Sequence, residues 1–252
     1  MNANKHLPRT APVSSEEFQA WRTDPAAAYR SRHSLPATRT SSTPALRALE
    51  DRQTVNHYAA AYLREDANVE ALFGRPGRVR FLKYYLVPQR WSVRADAVFL
   101  PRDGSEASVL LIRAATPFRD AEGTFVPETD DLFELAYQRF TMRQAKRPAE
   151  RCLLLLLNPG HRNDLEAPAL GEMFECHDVT RFIDAPAGPG TPSIAAVVAE
   201  EAVLAADFLQ ADYVNVLPLE RASDIPAATP EHLSPEGREA IGRILGRVTE
   251  RD

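Results

Sequence analysis

The sequence predicts an α/β protein with a mixed β-sheet core flanked by helices. Three strand-like runs follow one another between residues 79 and 116, and segments with the apolar period of helices stand on both sides of them. A further apolar run, RCLLLLLNPG at 151–160, comes after the next helical segment. The order helix, β-meander, helix, strand, helix is typical of helices packed on a mixed sheet.

The composition limits the domain count and the kind of partner. With 252 residues and 44% hydrophobic content, the chain fits one elaborated domain or at most two small ones. A net charge of -5 gives the whole molecule no cationic field for nucleic acid, although a local patch remains open. The chain has no apolar run of membrane-spanning length, and its first thirty residues lack a basic start followed by an apolar run. We therefore expect a soluble cytoplasmic protein with no membrane partner.

The N-terminal part is predicted to be a short helix followed by an irregular arm. In VSSEEFQAWRT, residues 13–23, Ser14 and Glu17 have the spacing of a capping box. Residues 24–44 are rich in Pro, Ser, Thr and Arg, which predicts an irregular connection. The predicted division of the chain is an N-terminal helix and arm at 1–45 and an α/β domain with C-terminal helices at 46–252.

The α/β domain is predicted to open with a helix over 44–65, where apolar residues recur at helical spacing. Three strands then cover 79–87, 91–100 and 108–116, and PRDGSE supplies the turn between the last two. The remaining predicted elements are a helix at 129–147, a strand at 151–160, and helices at 193–210 and 234–248.

Charged side chains interrupt two of the strand-like runs. In WSVRADAVFL, residues 91–100, alternation places Arg94 and Asp96 on one face. In VLLIRAAT, Leu111 and Arg113 share a face by the same rule. If the two strands form a hairpin, Asp96 and Arg113 are neighbours. Two roles are open to Arg113. It forms an ion pair with a nearby carboxylate such as Asp96, or it contacts a phosphate.

The segment from Leu72 to Arg94 is basic and aromatic. It contains six basic residues and no acid, interleaved with Phe, Tyr and Trp. This pattern is typical of a groove for single strands or phosphate backbones. The alternative is an amphipathic strand whose arginines face water and whose aromatic rings face the core. The candidate nucleic-acid-binding residues are Arg75, Arg78, Arg80, Lys83, Arg90 and Arg94.

The order and spacing of Asp96 and the run Leu111 to Arg113 resemble the active-site hairpin of the PD-(D/E)XK nuclease superfamily. In that family, an Asp on one strand and an acidic residue two before a Lys on the next hold divalent metal and orient the attacking water. Such a site needs hard oxygen ligands for Mg²⁺ and a cation near the scissile phosphate.

Further segments are similar to the RecB-like branch of this superfamily, which includes CRISPR-associated exonucleases. VSSEEFQAWRTDP resembles its opening helix, and ELAYQRF resembles a later helix whose Gln lies beside the metal site. Gln138 matches that Gln, and Glu134 occupies a place often held by Asp. LLLNPGHRN and LGEMFECHDVTRFI are similar to segments that close the domain in bacterial relatives. The resemblance spans roughly residues 12 to 220 and implies a restriction-endonuclease-like fold.

The departures from the family pattern bear on function. Leu111 stands where the second acid is expected and cannot ligate Mg²⁺, while Arg113 replaces the lysine. Arginine is a planar fork that stays protonated and suits phosphate clamping better than close positioning of a water. The family's Cys-Pro pair is Asp24 and Pro25, and the C-terminal cysteines of an iron–sulfur cluster are missing. The resemblance thus implies no cluster and a remnant catalytic site of Asp96, Arg113 and Gln138.

Two functions remain open. The first, which we favour, is a catalytically inactive nuclease-fold protein without a cofactor, binding DNA or RNA or serving as a scaffold in a larger protein assembly. The second is an active Mg-dependent DNA nuclease in which Asp130, Asp131 or Glu134 supplies a migrated acid. The metal ligands would then be Asp96, Glu134 and His57. A zinc site built from Cys152, Cys176 and His177 lacks a fourth ligand at a recognisable spacing.

Overall fold

The fold is described by a computed structural model that covers residues 11–33, 54–159, 170–186 and 188–210. The predicted helix at 234–248 and the predicted boundary at residue 45 lie outside the described residues. The helices are α1 (Ser15–Thr23), α2 (Pro25–His33), α3 (residues 54–62), α4 (Asp66–Phe73), α5 (Thr129–Gln144), α6 (Leu170–Met173), α7 (Thr180–Asp184) and α8 (Ile194–Gln210). The strands are β1 (Gly77–Val87), β2 (Trp91–Pro101), β3 (Ala107–Ile112), β4 (Ala149–Leu157) and β5 (Phe174–Asp178).

The five strands form one sheet in the order β1-β2-β3-β4-β5. β2 and β3 are antiparallel, with Ala97 opposite Leu110. β3 and β4 are parallel, with Leu111 opposite Leu154, whereas β4 and β5 are antiparallel. Parallel neighbours need a crossover connection, and α5 provides it by packing against both β3 and β4. The predicted mixed sheet flanked by helices is confirmed.

One face of the sheet, the α3/α4 face, carries the aromatic core. Ala97 and Leu110 belong to this core together with side chains of α3 and α4. Phe73 stacks on Phe99 with ring centroids 3.9 Å apart. At Gly77, β1 lies so close to the Phe99 ring of β2 that a Cβ would be 2.1 Å from the ring, so only glycine fits there.

The opposite face of the sheet, the α5 face, is covered by the crossover helix. Leu154 and Leu156 of β4 line one small cavity together with Asp131 of α5, which identifies the face of β4 that α5 covers. The helix ends in a Schellman motif, in which Arg147 N–H donates to Met142 O at 2.8 Å. Lys146 therefore takes a left-handed conformation with φ of 59°.

Residues cluster into two compact units. The sheet unit comprises Thr40–Leu86 and Val93–Val198, and the second unit comprises Met1–Arg39, Val87–Ser92 and Ala199–Asp252. None of the described helices is long and apolar enough to cross a bilayer.

In the second unit, the capping box predicted at the start of α1 is present. Ser14 N–H donates to Glu17 Oε2 at 2.9 Å, and Glu17 N–H donates to Ser14 Oγ at 3.2 Å. The prediction of an irregular arm from residue 24 is wrong for 25–33, which form α2. A proline in the first helical turn lacks only an N–H that has no helical partner, and the Asp24 carboxylate accepts the N–H of Ala27 at 2.9 Å.

Candidate functional site

The strand register puts Asp96 and Arg113 on the same side of the sheet. Because Ala97 and Leu110 are partners on the α3/α4 face, Asp96 and Leu111 point to the α5 face. Arg113 comes two residues after Leu111, directly beyond the end of β3. Its backbone N–H donates to Leu155 O at 3.0 Å, so the chain is still alongside β4 at this point. The two residues share a face of the sheet, but the strand predicted over 108–116 ends at Ile112, so Arg113 lies just beyond β3 and not on it.

The carboxylate of Asp96 is turned toward the backbone of β3. Asp96 is 8% exposed, and its Oδ2 accepts the backbone N–H of Ile112 at 3.1 Å. One carboxylate oxygen is therefore engaged in tying β2 to β3, one residue away from Arg113. Asp96 therefore has a structural function in the hairpin formed by β2 and β3.

Arg113 joins β3 to two acids of α5. Its Nε donates to Asp131 Oδ1 at 2.6 Å, and its Nη2 donates to Glu134 Oε2. The Arg113 side chain is 23% exposed, and those of Asp131 and Glu134 are 10% and 22% exposed. The ion-pair role predicted for Arg113 is thus present, with carboxylates of α5 as the partners. The sequence-based prediction includes both acids as candidate metal ligands and not as ion-pair partners of Arg113.

The electrostatics of this cluster keep the guanidinium charged. Burial by itself lowers the pKa of Arg113, but the charges and hydrogen bonds of Glu134 and Asp131 outweigh that effect and raise the pKa above its ordinary value. An arginine side chain stays protonated throughout the physiological pH range. A permanent cation therefore occupies the space between the two carboxylates.

Gln138 extends the cluster by one helical turn. Its Nε2 donates to Glu134 Oε1 at 3.3 Å, as the predicted placement of both residues on one helix face requires. Gln138 is 1% exposed, and its Oε1 is buried without a hydrogen-bond partner among the described residues. Glu134 thus has one oxygen on Arg113 and the other on Gln138.

The donors beside Arg113 do not fit a divalent metal. Leu111 is fully buried and apolar, and its side chain offers no oxygen ligand. Within the described residues, no three His, Cys, Asp or Glu side chains converge closely enough to hold an ion. Asp131 and Glu134 each give an oxygen to Arg113, whose charge opposes a second cation.

The structure does not bring His57 to this cluster. His57 is exposed on α3, with its ring edge-on to Tyr58 at a centroid distance of 5.8 Å. Since α3 packs on the α3/α4 face, His57 belongs to the opposite side of the sheet from Asp96 and Glu134. The three predicted metal ligands are not assembled in this conformation.

Three arginines of the basic segment point to the α5 face, and together we call them the basic strip: Arg78, Arg80 and Arg94. Val79 and Phe81 pack against the aromatic core, so Arg78 and Arg80 point the other way by alternation. Arg94 lies two residues before Asp96 and shares its face. All three are exposed, and none forms an ion pair with another described residue.

The other predicted nucleic-acid contacts differ in their availability. Arg75 donates to Ser105 Oγ at 2.8 Å and lies 3.7 Å from a Glu150 carboxylate oxygen. Arg90 is paired with Asp207 at 2.6 Å. Lys83 is exposed and follows Leu82, whose φ of 50° interrupts the alternation of β1. The basic segment therefore contains both structural arginines and free ones.

Sequence reasoning missed one surface feature close to this site. TPFRDAEGTFVP, residues 116–127, has a turn signal between two aromatic residues and forms a short hairpin. Its Phe118 and Phe125 help to line a cavity of about 60 Å³ that also touches Arg113 and Asp131. The signal was present in the sequence as an Asp and a Gly spaced for a turn.

The sequence was compared with protein-family models and with curated proteins. No protein-family model matches the sequence, and no curated protein is similar to it.

Proposed function

We propose that this chain is a catalytically inactive nuclease-fold protein, related to the RecB-like branch of the PD-(D/E)XK superfamily, that binds nucleic acid. One observation carries the proposal. The face of the sheet that holds the Arg113 ion-pair cluster also holds the basic strip of exposed arginines. A degenerate nuclease that kept its substrate surface and lost its metal site would have this arrangement.

The chemistry of the cluster supports inactivity. Hydrolysis of a phosphodiester by a metal-dependent nuclease needs carboxylate oxygens that are open to Mg²⁺. Here Asp131 and Glu134 share the Arg113 guanidinium, and the buried Leu111 offers no oxygen. Arg113 supplies internally the positive charge that a metal would otherwise supply.

The basic strip supports binding to phosphates. Arg78 and Arg80 are on β1 and Arg94 is on β2, so the cations lie on neighbouring strands of one surface. Each phosphate that an arginine neutralises releases counterions, which makes the affinity fall with salt. A local cationic surface attracts nucleic acid at short range even on a chain with net charge -5, because screening removes the more distant charges.

An active nuclease with a migrated acid is the second candidate. It is favoured by one observation, the position of Asp131 and Glu134 directly beside Arg113 on the α5 face. If Arg113 swung away in a complex with nucleic acid, both carboxylates would be released. Scaffold function within a larger assembly is compatible with the inactive proposal and uses the same fold.

Binding is tested with labelled single-stranded and duplex oligonucleotides of DNA and RNA, by fluorescence anisotropy at about 50 and about 200 mM salt. The variant Arg78→Ser/Arg80→Ser should bind more weakly, and its slope of log affinity against log salt should fall by about 0.7 to 0.9 for each lost contact. Arg64→Ser/Arg181→Ser is the matched control, because it removes two exposed arginines and changes net charge equally. Absence of binding by the wild-type protein at low salt refutes the nucleic-acid proposal, as does an equal loss in both variants.

Catalysis is tested by incubating the same oligonucleotides with the protein and Mg²⁺ or Mn²⁺. We expect no cleavage above the level of a protein-free sample. Cleavage that Asp96→Ala or Glu134→Gln abolishes would establish the active alternative, provided that both variants keep the wild-type unfolding midpoint within a few degrees.

A further inference from the structure

The hairpin formed by residues 118–126 has a rigid internal structure. Arg119 and Phe125 form an isolated antiparallel bridge, and the N–H of Val126 donates to Phe118 O at 3.0 Å. In the turn, Asp120 Oδ1 accepts the N–H of Thr124 at 2.7 Å. These bonds hold Phe118 and Val126 side by side at the open end of the hairpin.

Two contacts anchor the hairpin to β5. The ring of Phe125 stacks on His177 with centroids 3.9 Å apart and planes inclined by 15°. Arg119 Nη2 donates to Glu175 Oε2 at 2.7 Å. The side chains of Arg119 and Phe125 therefore pack against the sheet. Those of Phe118 and Val126 are exposed to solvent, on a backbone that hydrogen bonds hold in place.

Phe118 and Val126 expose apolar surface beside a cleft. Phe118 is 65% exposed, the largest exposed fraction among the large apolar side chains that the structure describes, and Val126 is 39% exposed. A cleft of about 440 Å³ opens next to them, at the start of α5. We call it the Phe118 cleft, and its lining residues are Phe118, Val126, Pro127, Glu128, Thr129 and Asp130. An exposed aromatic ring on a rigid support beside a concave surface is typical of an interaction site.

The polar part of the cleft is negative. Glu128 and Asp130 are exposed, and neither forms an ion pair within the part of the chain that the structure describes. Arg119, the cation of the hairpin, is already paired with Glu175. Carboxylates that lack an ion-pair partner beside apolar surface attract cationic groups and repel phosphates.

We propose that the Phe118 cleft docks a segment of a partner protein in which an apolar side chain stands beside Arg or Lys. The apolar side chain packs on Phe118 and Val126, and the cation pairs with Glu128 and Asp130. Little ordering is needed in the cleft itself, since hydrogen bonds inside the hairpin already hold its shape. This docking site is independent of the proposed nucleic-acid binding and uses a surface of opposite charge.

The proposal is tested with three short labelled peptides and the full chain. One peptide alternates leucine with arginine, one alternates leucine with glutamate, and one alternates serine with arginine. The first should bind at least about tenfold more tightly than the other two, because only it offers both apolar and cationic groups. Phe118→Ser and, separately, Glu128→Gln/Asp130→Asn should each weaken it about tenfold or more.

Phe182→Ser is the matched control, because Phe182 is 46% exposed on α7 and does not line the cleft. It should leave peptide affinity unchanged, and all variants should keep the unfolding midpoint within a few degrees of the wild-type value. Equal binding of the three peptides, or equal effects of Phe118→Ser and Phe182→Ser, refutes the proposal. Self-association in sedimentation that Phe118→Ser abolishes would show that a second copy occupies the cleft, which also overturns it. Phe118→Ser should leave oligonucleotide binding unchanged, so the two proposals fail separately.

Discussion

Replacing Arg113 with Met tests whether the ion-pair cluster stabilises the fold. Met preserves much of the length and apolar stem of Arg but removes the charge and the forked donors. The change leaves Asp131 and Glu134 without the cation that both contact in the wild type. An unpaired carboxylate in a partly buried place lacks both hydration and a counter-charge, so the folded state loses stability.

The size of the effect follows from the exposure of the three side chains. Removing one partner of a fully buried pair costs about 3 to 5 kcal/mol, whereas a solvent-exposed pair contributes about 0 to 1 kcal/mol. The side chains here are 10% to 23% exposed, which places the cluster nearer to the buried case. We expect Arg113→Met to lower the free energy of unfolding by about 2 to 3 kcal/mol.

Equilibrium unfolding in urea at neutral pH measures this change, and a thermal scan should show the midpoint falling by about 4 to 12 °C. Arg119→Met is the control, because its pair with Glu175 is more exposed, at 43% and 26%, and should contribute at most about 1 kcal/mol. Adding Asp131→Asn and Glu134→Gln to Arg113→Met should recover part of the loss, since the unpaired charges are removed.

Two results would contradict this account. One is a loss of less than about 0.5 kcal/mol in Arg113→Met, which is the size of an ordinary surface substitution. The other is a triple variant that is no more stable than Arg113→Met alone, because the loss would then not come from unpaired carboxylates.

Three further predictions concern the backbone and the thiols. Gly77→Ala should lower the free energy of unfolding by about 1 to 3 kcal/mol, because its Cβ would collide with the Phe99 ring; an unchanged urea midpoint would contradict the packing described. Lys146→Gly should raise stability by up to about 1 kcal/mol, because glycine adopts the left-handed conformation at this helix end without strain, whereas Lys146→Ala should bring no gain. Burial raises the pKa of both Cys152 and Cys176 to about 12, so native protein at pH 8 should be alkylated by iodoacetamide at least about tenfold more slowly than urea-unfolded protein; equal rates by intact mass would refute this.

The main strands and α5 were predictable because their signals are local. Alternation and turn residues marked the first three strands, and a continuous apolar run marked β4, which is buried inside the sheet. The five-residue strand β5, at the edge of the sheet, is not predictable from its sequence FECHD, because polar and apolar residues show little alternation there. The helix α2 is not predictable from its composition, because prolines usually indicate irregular structure, although Pro25 stands where a helix tolerates it.

For the candidate site, the amino-acid pattern alone predicts which residues share a strand face. Period-two alternation is a property of the backbone, so Asp96 and Arg113 could be placed on one side before any tertiary contact was known. The same rule could not separate the free Arg78 from Arg75, whose partner Glu150 lies far away in the chain.

The contacts of Arg113 depend on how the whole chain folds. Its partners Asp131 and Glu134 are 18 and 21 residues away, and they reach it because α5 crosses from β3 to the parallel strand β4. Which helix covers which face depends on the packing of the whole sheet, and no local pattern encodes it. The ion-pair cluster is therefore a consequence of the crossover.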